Sequence, residues 1–259
     1  MIKAKKSLGQ YFLADQALLQ IMITAANLTA SDTVLEVGPG TGFLTAALLQ
    51  TGATVIAVEK DDRLIGLLTQ KFTPAIKNKK LELIHADILK FDLSYKLQAN
   101  SYKLISNIPY YLTGQIIRLF LSADHQPQTM TLMLQKEVAR RIVAQNKKES
   151  LLSIAVKAYG APRYIRPVPR GAFRPVPRVD SAILHIDNIN RNRFTKNKIA
   201  ETEFFKLLHL GFDQKRKVLG PKLKLSENKL AVCNVAPKAR AEDLTVEQWF
   251  CLVKQNKKT

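Results

Sequence analysis

Apolar residues recur along this chain with two alternating periods. Over 15–28 (DQALLQIMITAANL) they return at helical spacing and stop before the polar cluster TASD, which predicts a helix running into a turn. TVLEVG (33–38) and TVIAVE (54–59) are short and rich in β-branched residues, and FLTAALLQTG between them predicts a helix closed by Gly52. Strand, helix, strand is a βαβ unit. The alternation continues with a helix over 61–72, strands at 81–87 and 102–107, a helix over 113–122 and a strand at 129–135. This order predicts an α/β fold, with a mostly parallel sheet covered by helices on both faces. A helix is predicted near 136–160. After it, RYIRPVPRGAFRPVPRVDSAILHID interleaves prolines and arginines as a surface loop that leads into a final apolar strand at about 179–186. Beyond Asn188 the chain turns polar and basic, then helical through EFFKLLHLGF and LTVEQWFCLVK. The predicted organisation is a large domain over 1–188 and a small helical one over 189–259.

Charge adds a partner. The 259 residues carry 40 Lys and Arg against 21 Asp and Glu, a formal net charge of +19, and a surface so basic calls for a polyanion such as nucleic acid. From Lys136 to Arg178 eleven basic residues stand against two acidic ones, and from Arg191 to Lys224 ten against three. Arg140, Arg141, Arg174, Arg178, Lys215, Arg216 and Lys217 are the candidate nucleic-acid contacts, whose phosphate pairing supplies affinity while base contacts supply specificity. No apolar run approaches transmembrane length, and the basic N-terminus is interrupted at Gly9, Gln10, Asp15 and Gln16 before a signal-peptide core could form. Two cysteines, Cys233 and Cys251, suggest neither a disulfide framework nor a zinc site, and the four histidines share no ligand spacing. The expectation is a cytoplasmic protein without metal or membrane attachment, and a monomer, since no long apolar stripe is left over.

Three successive strand ends carry chemistry. Glu36-Val37-Gly38-Pro39-Gly40-Thr41-Gly42 joins the first strand to its helix, and its glycines let a ligand approach the backbone without meeting a Cβ. Tight strand-to-helix turns use glycine for steric reasons alone, so the neighbours decide. Glu59 closes the second strand, where a carboxylate can accept from two ribose hydroxyls, and Asp87 ends the third. Together they describe an adenosine pocket. Phe43 stands where a dinucleotide fingerprint has its third glycine, so NAD fits poorly; S-adenosylmethionine, with a carboxylate for backbone N–H groups and no phosphates, fits better.

At the end of the fourth strand stands Asn107-Ile108-Pro109-Tyr110. An exocyclic adenine amine is a poor nucleophile because its lone pair is delocalised into the ring. The Asn107 side-chain oxygen and the Ile108 carbonyl, kept free by the rigid Pro109, could accept both N–H bonds and steer the lone pair toward a sulfonium methyl. Tyr110 would stack on a base that has left its own stack.

With these motifs the chain resembles the rRNA adenine N6,N6-dimethyltransferase family nearly end to end. The resemblance also covers Ser7-Leu8-Gly9-Gln10-Tyr11-Phe12-Leu13, Leu134 to Ala139, Phe173-Arg174-Pro175-Val176-Pro177-Arg178-Val179-Asp180-Ser181, Gln214 to Lys217 and Ala239 to Leu244. It implies a Rossmann-like S-adenosylmethionine-dependent methyltransferase fold with a final antiparallel strand and a small C-terminal helical domain. It further implies transfer of methyl groups to two adjacent adenines near the 3′ end of 16S rRNA within the immature 30S subunit. Gln10 and Gly38, Gly40 and Gly42 would hold the methionine end of the cofactor, Glu59 its ribose, and Asp87 with Ile88 its adenine; Asn107 would touch cofactor and target. Tyr110 and Phe173 would sandwich the flipped adenine, with Phe12 and Leu13 closing the N-terminal side. Two departures concern the target contacts: Tyr11 stands where the family usually has Asn or His, and Tyr111-Leu112-Thr113-Gly114 replaces the usual continuation of the tetrad. The competing functions are a 23S rRNA adenine methyltransferase of the macrolide-resistance type, which shares the tetrad, and a non-catalytic RNA-binding assembly factor.

Overall fold

The computed structural model describes residues 10–92, 97–214 and 216–257. The chain gathers into two compact units, one of Met1–Ala139 with Arg163–Ile189 and one of Arg140–Pro162 with Asn190–Thr259. In chain order the elements up to Asp187 are β1 (Phe12–Leu13), α1 (Gln16–Ala25), β2 (Thr33–Val37), α2 (Phe43–Gln50), β3 (Thr54–Glu59), α3 (Asp62–Lys71), α4 (Thr73–Lys77), β4 (Leu81–His85), β5 (Tyr102–Asn107), α5 (Thr113–Ser122), β6 (Thr129–Gln135), α6 (Lys136–Ile142), α7 (Leu151–Tyr159), β7 (Ala161–Val168), β8 (Phe173–Arg174) and β9 (Ser181–Asp187). Seven strands form one sheet in the order β4-β3-β2-β5-β6-β9-β7, and β1 pairs with β8 in a ribbon of its own. The sheet is parallel from β4 to β6, and β9 runs antiparallel to β6. This is the expected α/β architecture with its antiparallel strand. Strands covered on both faces need apolar residues at every position, and Val34, Leu35, Val55, Ala57, Leu104 and Ile105 are all fully enclosed.

Strand register opens the site. β2 stays paired with β3 as far as Val37 opposite Val58, but with β5 only as far as Leu35 opposite Leu104. The carboxyl ends of β2 and β5 part at the point where strand order reverses, which is where open α/β sheets form their ligand crevice. Ser106 Oγ donates to the Val37 carbonyl at 2.6 Å, holding the two diverging ends in register.

Three local readings change. The helix predicted over 136–160 is two, α6 and α7, because Ala144 and Lys147 take positive φ and Ser150 starts a new helix in a reciprocal cap with Ser153. The stretch predicted as loop before the last strand contains β7, an edge strand, the position in a sheet where Pro162 and Pro167 cost no ladder bond. The last strand itself begins at Ser181.

The second unit takes in α7 as well as α8 (Asn192–Asn197), α9 (Glu201–Phe212), α10 (Leu219–Leu223), α11 (Glu227–Val232) and α12 (Val246–Lys257). It therefore begins earlier in the chain than the predicted boundary at 188, for a packing reason: Tyr159 at the end of α7 packs on Phe194 and Phe205, with ring centroids 5.1 and 6.0 Å apart. Trp249 is fully buried against Phe212, as expected of a core residue. The cysteines depart from expectation. Cys233 and Cys251 are joined in a disulfide, their Cα atoms 5.5 Å apart, because folding brings the end of α11 against α12.

His185, buried on β9, gives the first unit a pH dependence. Its Nδ1 lies 2.8 Å from Thr131 Oγ1 and its Nε2 2.8 Å from Asp187 Oδ1, an arrangement that satisfies the neutral ring when the hydroxyl donates to Nδ1 and Nε2–H donates to the carboxylate. Burial holds its pKa below the ordinary 6.5, with Asp187 pulling the other way. Between the lowered value and 6.5 the unfolded chain binds more protons than the folded one, so stability falls as pH drops through that window. Thermal unfolding followed from about pH 8 to about pH 5 should show this slope, and His185→Gln should flatten it.

Candidate active site

The crevice between the ends of β2 and β5 is a cavity walled by Gln10 to Leu13, the glycine loop, the ends of β3 and β4, and residues 107–112. The sequence motifs that looked separate therefore share one chamber. Gly38, Gly40 and Gly42 have φ of 68°, 60° and 74°, a region where a Cβ is strained. On Gly38 a Cβ would meet no protein atom within 4 Å and would stand in the cavity; on Gly40 it would come within 3.0 Å of the Phe12 ring. Phe12 thus lies directly over the loop.

Two carboxylates line this cavity under different constraints. Glu59 is 5% exposed, and its oxygens accept from the Gly40 N–H at 3.1 Å and the Asp61 N–H at 2.8 Å. Burial raises its pKa above the ordinary 4.5, and the backbone donors oppose that rise. Asp87, just beyond β4, accepts from Lys60 Nζ at 2.9 Å and the Leu89 N–H at 3.1 Å; the Lys60 ammonium, first among the causes, keeps its pKa below the ordinary value. Ile88 beside it is buried and lines the cavity. Beneath the loop Glu36 accepts from Thr45 Oγ1 at 2.7 Å, and burial pushes its carboxyl up to about 8. At neutral pH it is mostly protonated and adds little charge beside Glu59.

Asn107 ends β5, where its Nδ2 donates to the Tyr11 carbonyl at 3.2 Å. Pro109 turns the chain with φ −56° and ψ 133°, and Tyr110 to Leu112 make a single helical turn before α5. The Tyr110 hydroxyl is 2.6 Å from Ser181 Oγ on β9, which fixes the ring, and burial raises its pKa. Ile108 and Pro109 line the same cavity.

Other predicted residues are placed differently. Phe173 is fully buried and is not part of the cavity wall: β8 pairs it with Leu13, and both side chains belong to the hydrophobic core. Gln10 lines the cavity, but its Nε2 donates to Asp61 Oδ2 at 2.9 Å, which ties the N-terminal segment to the end of β3. Arg140, Arg141, Arg174, Arg178, Arg216 and Lys217 are exposed, and Lys215 lies outside the described residues. Arg174 folds back onto the Gly171 and Phe173 carbonyls, each at 2.9 Å. Lys60, which lines the cavity, and Asp61 and Ser106, which brace it from behind, were not flagged by the motifs. Lys60 and Asp61 directly follow Glu59 in the sequence, a position that could have suggested them; Ser106 carries no local signal, whereas Ser181, which braces Tyr110, closes the motif that begins at Phe173.

The residues present suit an adenosine-bearing ligand with a charged amino-acid tail. They offer a loop open to backbone approach, one carboxylate beside it, a second at the next strand end, and the apolar Ile88 on the same wall. Among the described residues no group of His, Cys, Asp and Glu could hold a metal ion, and no helix is long and apolar enough to cross a membrane.

The family model for ribosomal RNA adenine dimethylases matches residues 1–258. The chain belongs to that family. Among curated relatives of this dimethylase, the ribosomal RNA small subunit methyltransferase A of Dehalococcoides mccartyi strain 195 is 43% identical, over 97% of this chain and 89% of its own. That of Alkaliphilus oremlandii is 36% identical, over 96% and 91%. Among solved structures, a dimethyladenosine transferase from Plasmodium falciparum superposes on this dimethylase with a TM-score of 0.79 at 26% identity, covering 95% of this chain and 98% of its own. The 23S rRNA methyltransferase ErmE, at 24% identity and a TM-score of 0.76, shares the fold.

Proposed function

We infer that this dimethylase transfers methyl groups to the N6 atoms of two adjacent adenines near the 3′ end of 16S rRNA, giving N6,N6-dimethyladenosines. The observation that carries this reading is that Asn107 and Tyr110 share one cavity with the glycine loop, Glu59 and Asp87. The small-subunit names of its relatives favour 16S over 23S rRNA as substrate. Bound S-adenosylmethionine supplies an already activated methyl group on a sulfonium. The glycine loop, open to close approach at Gly38, and Gln10 would hold its amino-acid end, Glu59 its ribose hydroxyls, and Asp87 with Ile88 its adenine. The Asn107 Nδ2 is committed to the Tyr11 carbonyl, so Oδ1 is the acceptor this amide offers to the target. Oδ1 and the Ile108 carbonyl accept the two N6 hydrogens, localise the lone pair and aim it along the transfer path. Tyr110 stacks on the flipped base. The proton leaves easily once the new C–N bond makes the nitrogen cationic, so no strong base is required.

Exposed arginines and lysines on both units contact RNA phosphates, with salt-dependent affinity. The substrate is the immature 30S particle, and the protein acts as a cytoplasmic monomer. The test is incubation with methyl-labelled cofactor and either immature 30S particles or protein-free 23S RNA, followed by nucleoside analysis. Label is expected as N6,N6-dimethyladenosine in 16S rRNA; label only in 23S RNA, or RNA binding without label, contradicts this function.

A further inference from the structure

The N–H groups of the three loop glycines are already engaged within the protein. Gly38 donates to the Val58 carbonyl at 2.9 Å and Gly42 to the Pro39 carbonyl at 2.9 Å, while Gly40 donates to Glu59 at 3.1 Å. The loop lets a ligand come close, but the attraction for an anionic tail has to come from elsewhere. A cation does touch the loop, on the side away from the cavity lining. Lys71, at the end of α3, donates from Nζ to the Thr41 carbonyl at 2.8 Å and to the Gly42 carbonyl at 3.4 Å. Its neighbour fixes this approach: a Cβ on Gly42 would stand 2.5 Å from the Phe72 ring, and the Lys71 ammonium is 5.1 Å from the centre of that ring.

The placement is unfavourable unless an anion answers it. The dipole of α3 favours a cation at its end, but the Lys71 ammonium reaches the start of α2, whose dipole disfavours one. No side chain caps that start, and no acidic residue stands in its first turn. The charge is also felt by the cavity wall: burial raises the Glu36 carboxyl, and Lys71 is among the influences that oppose the rise. We propose that Lys71 is a positioning residue for the cofactor, supplying through the glycine loop the positive charge against which the carboxylate of the amino-acid tail is held. Lys71 does not line the cavity; Thr41, whose carbonyl it binds, does. The consequence is a preference for an adenosine compound with an anionic tail over the same compound without one.

This inference rests on the reading of the cavity as an S-adenosylmethionine site, and its test separates the two. Calorimetric titration without RNA compares S-adenosylmethionine with its decarboxylated form, which keeps the adenosine, the sulfonium and the amine and lacks the carboxylate. Lys71→Met is expected to weaken binding of the parent cofactor about three- to fivefold, the size of a partly screened charge interaction. The decarboxylated form should bind Met unchanged or more tightly, since a repelling cation is gone, and Lys71→Arg should restore the wild-type ratio of the two affinities. Equal weakening of both compounds in Met would overturn the proposal and leave Lys71 a brace of the loop; wild-type affinity for both would overturn it as well. A thermal unfolding midpoint near that of the wild type certifies each variant as folded. In the wild type alone, the preference for the carboxylate should shrink as salt screens Lys71, and a preference that salt leaves untouched would contradict the assignment without any variant. A wild type that binds neither compound would instead sink the cofactor reading.

Discussion

Asn107→Ala is expected to lower kcat by about 100- to 1,000-fold, the range seen when one preorganised polar group is removed from a reacting centre. The affinity for RNA should change little. The variant loses the Oδ1 acceptor that draws the N6 hydrogens, but the strand that carries it remains paired with β6 through position 107. Ser106 still bridges to β2. The crevice therefore keeps its shape, and the loss belongs to the chemical step. Asn107→Asp makes a sharper comparison. It retains an acceptor but sets an oxygen where Nδ2 now donates to the Tyr11 carbonyl, so the two oxygens repel and the side chain must turn. Aspartate should fail nearly as badly as alanine in single-turnover methylation, even though it is the better acceptor in isolation.

Glu59→Gln is expected to weaken cofactor binding by roughly ten- to a hundredfold, the value of one hydrogen bond to a charged group. The wild-type carboxylate accepts with both oxygens, from Gly40 and from Asp61. An amide has one oxygen and one NH2, so either the glycine loop or the turn after β3 loses its acceptor and faces a donor instead. Calorimetric titration of the cofactor measures the loss. In the wild type, affinity should begin to fall on acidification above the ordinary carboxylate range, because burial raises the Glu59 pKa. The Gln variant should lack that fall.

What was legible in the sequence was whatever is encoded locally. The β-branched runs at 33–38 and 54–59 became β2 and β3 because buried parallel strands need apolar residues on both faces. The glycine loop, Glu59, Asp87 and Asn107 could be placed together because strand ends in a parallel sheet point the same way. Features that depend on distant partners were not legible. Tyr11 and Tyr110 meet across most of the first unit, and neither the N-terminal segment nor the tetrad shows by itself that its ring will face the other. The burial of Phe173 follows from the β1–β8 ribbon, which is too short to leave a periodic signature. β7 was hidden by Pro162 and Pro167, which argue against a strand except at an edge. The membership of α7 in the second unit and the Cys233–Cys251 bond are likewise set by packing.

The most direct test of the central claim is a crystal structure of the protein with adenosine and the demethylated cofactor, read for the distance between Asn107 Oδ1 and the adenine N6. The prediction is a hydrogen bond of about 2.9 Å, with the base stacked on Tyr110 and the cofactor along Gly38 to Gly42. Adenosine bound away from Asn107, or an amide turned from the cavity while the cofactor occupies the glycine loop, would contradict it.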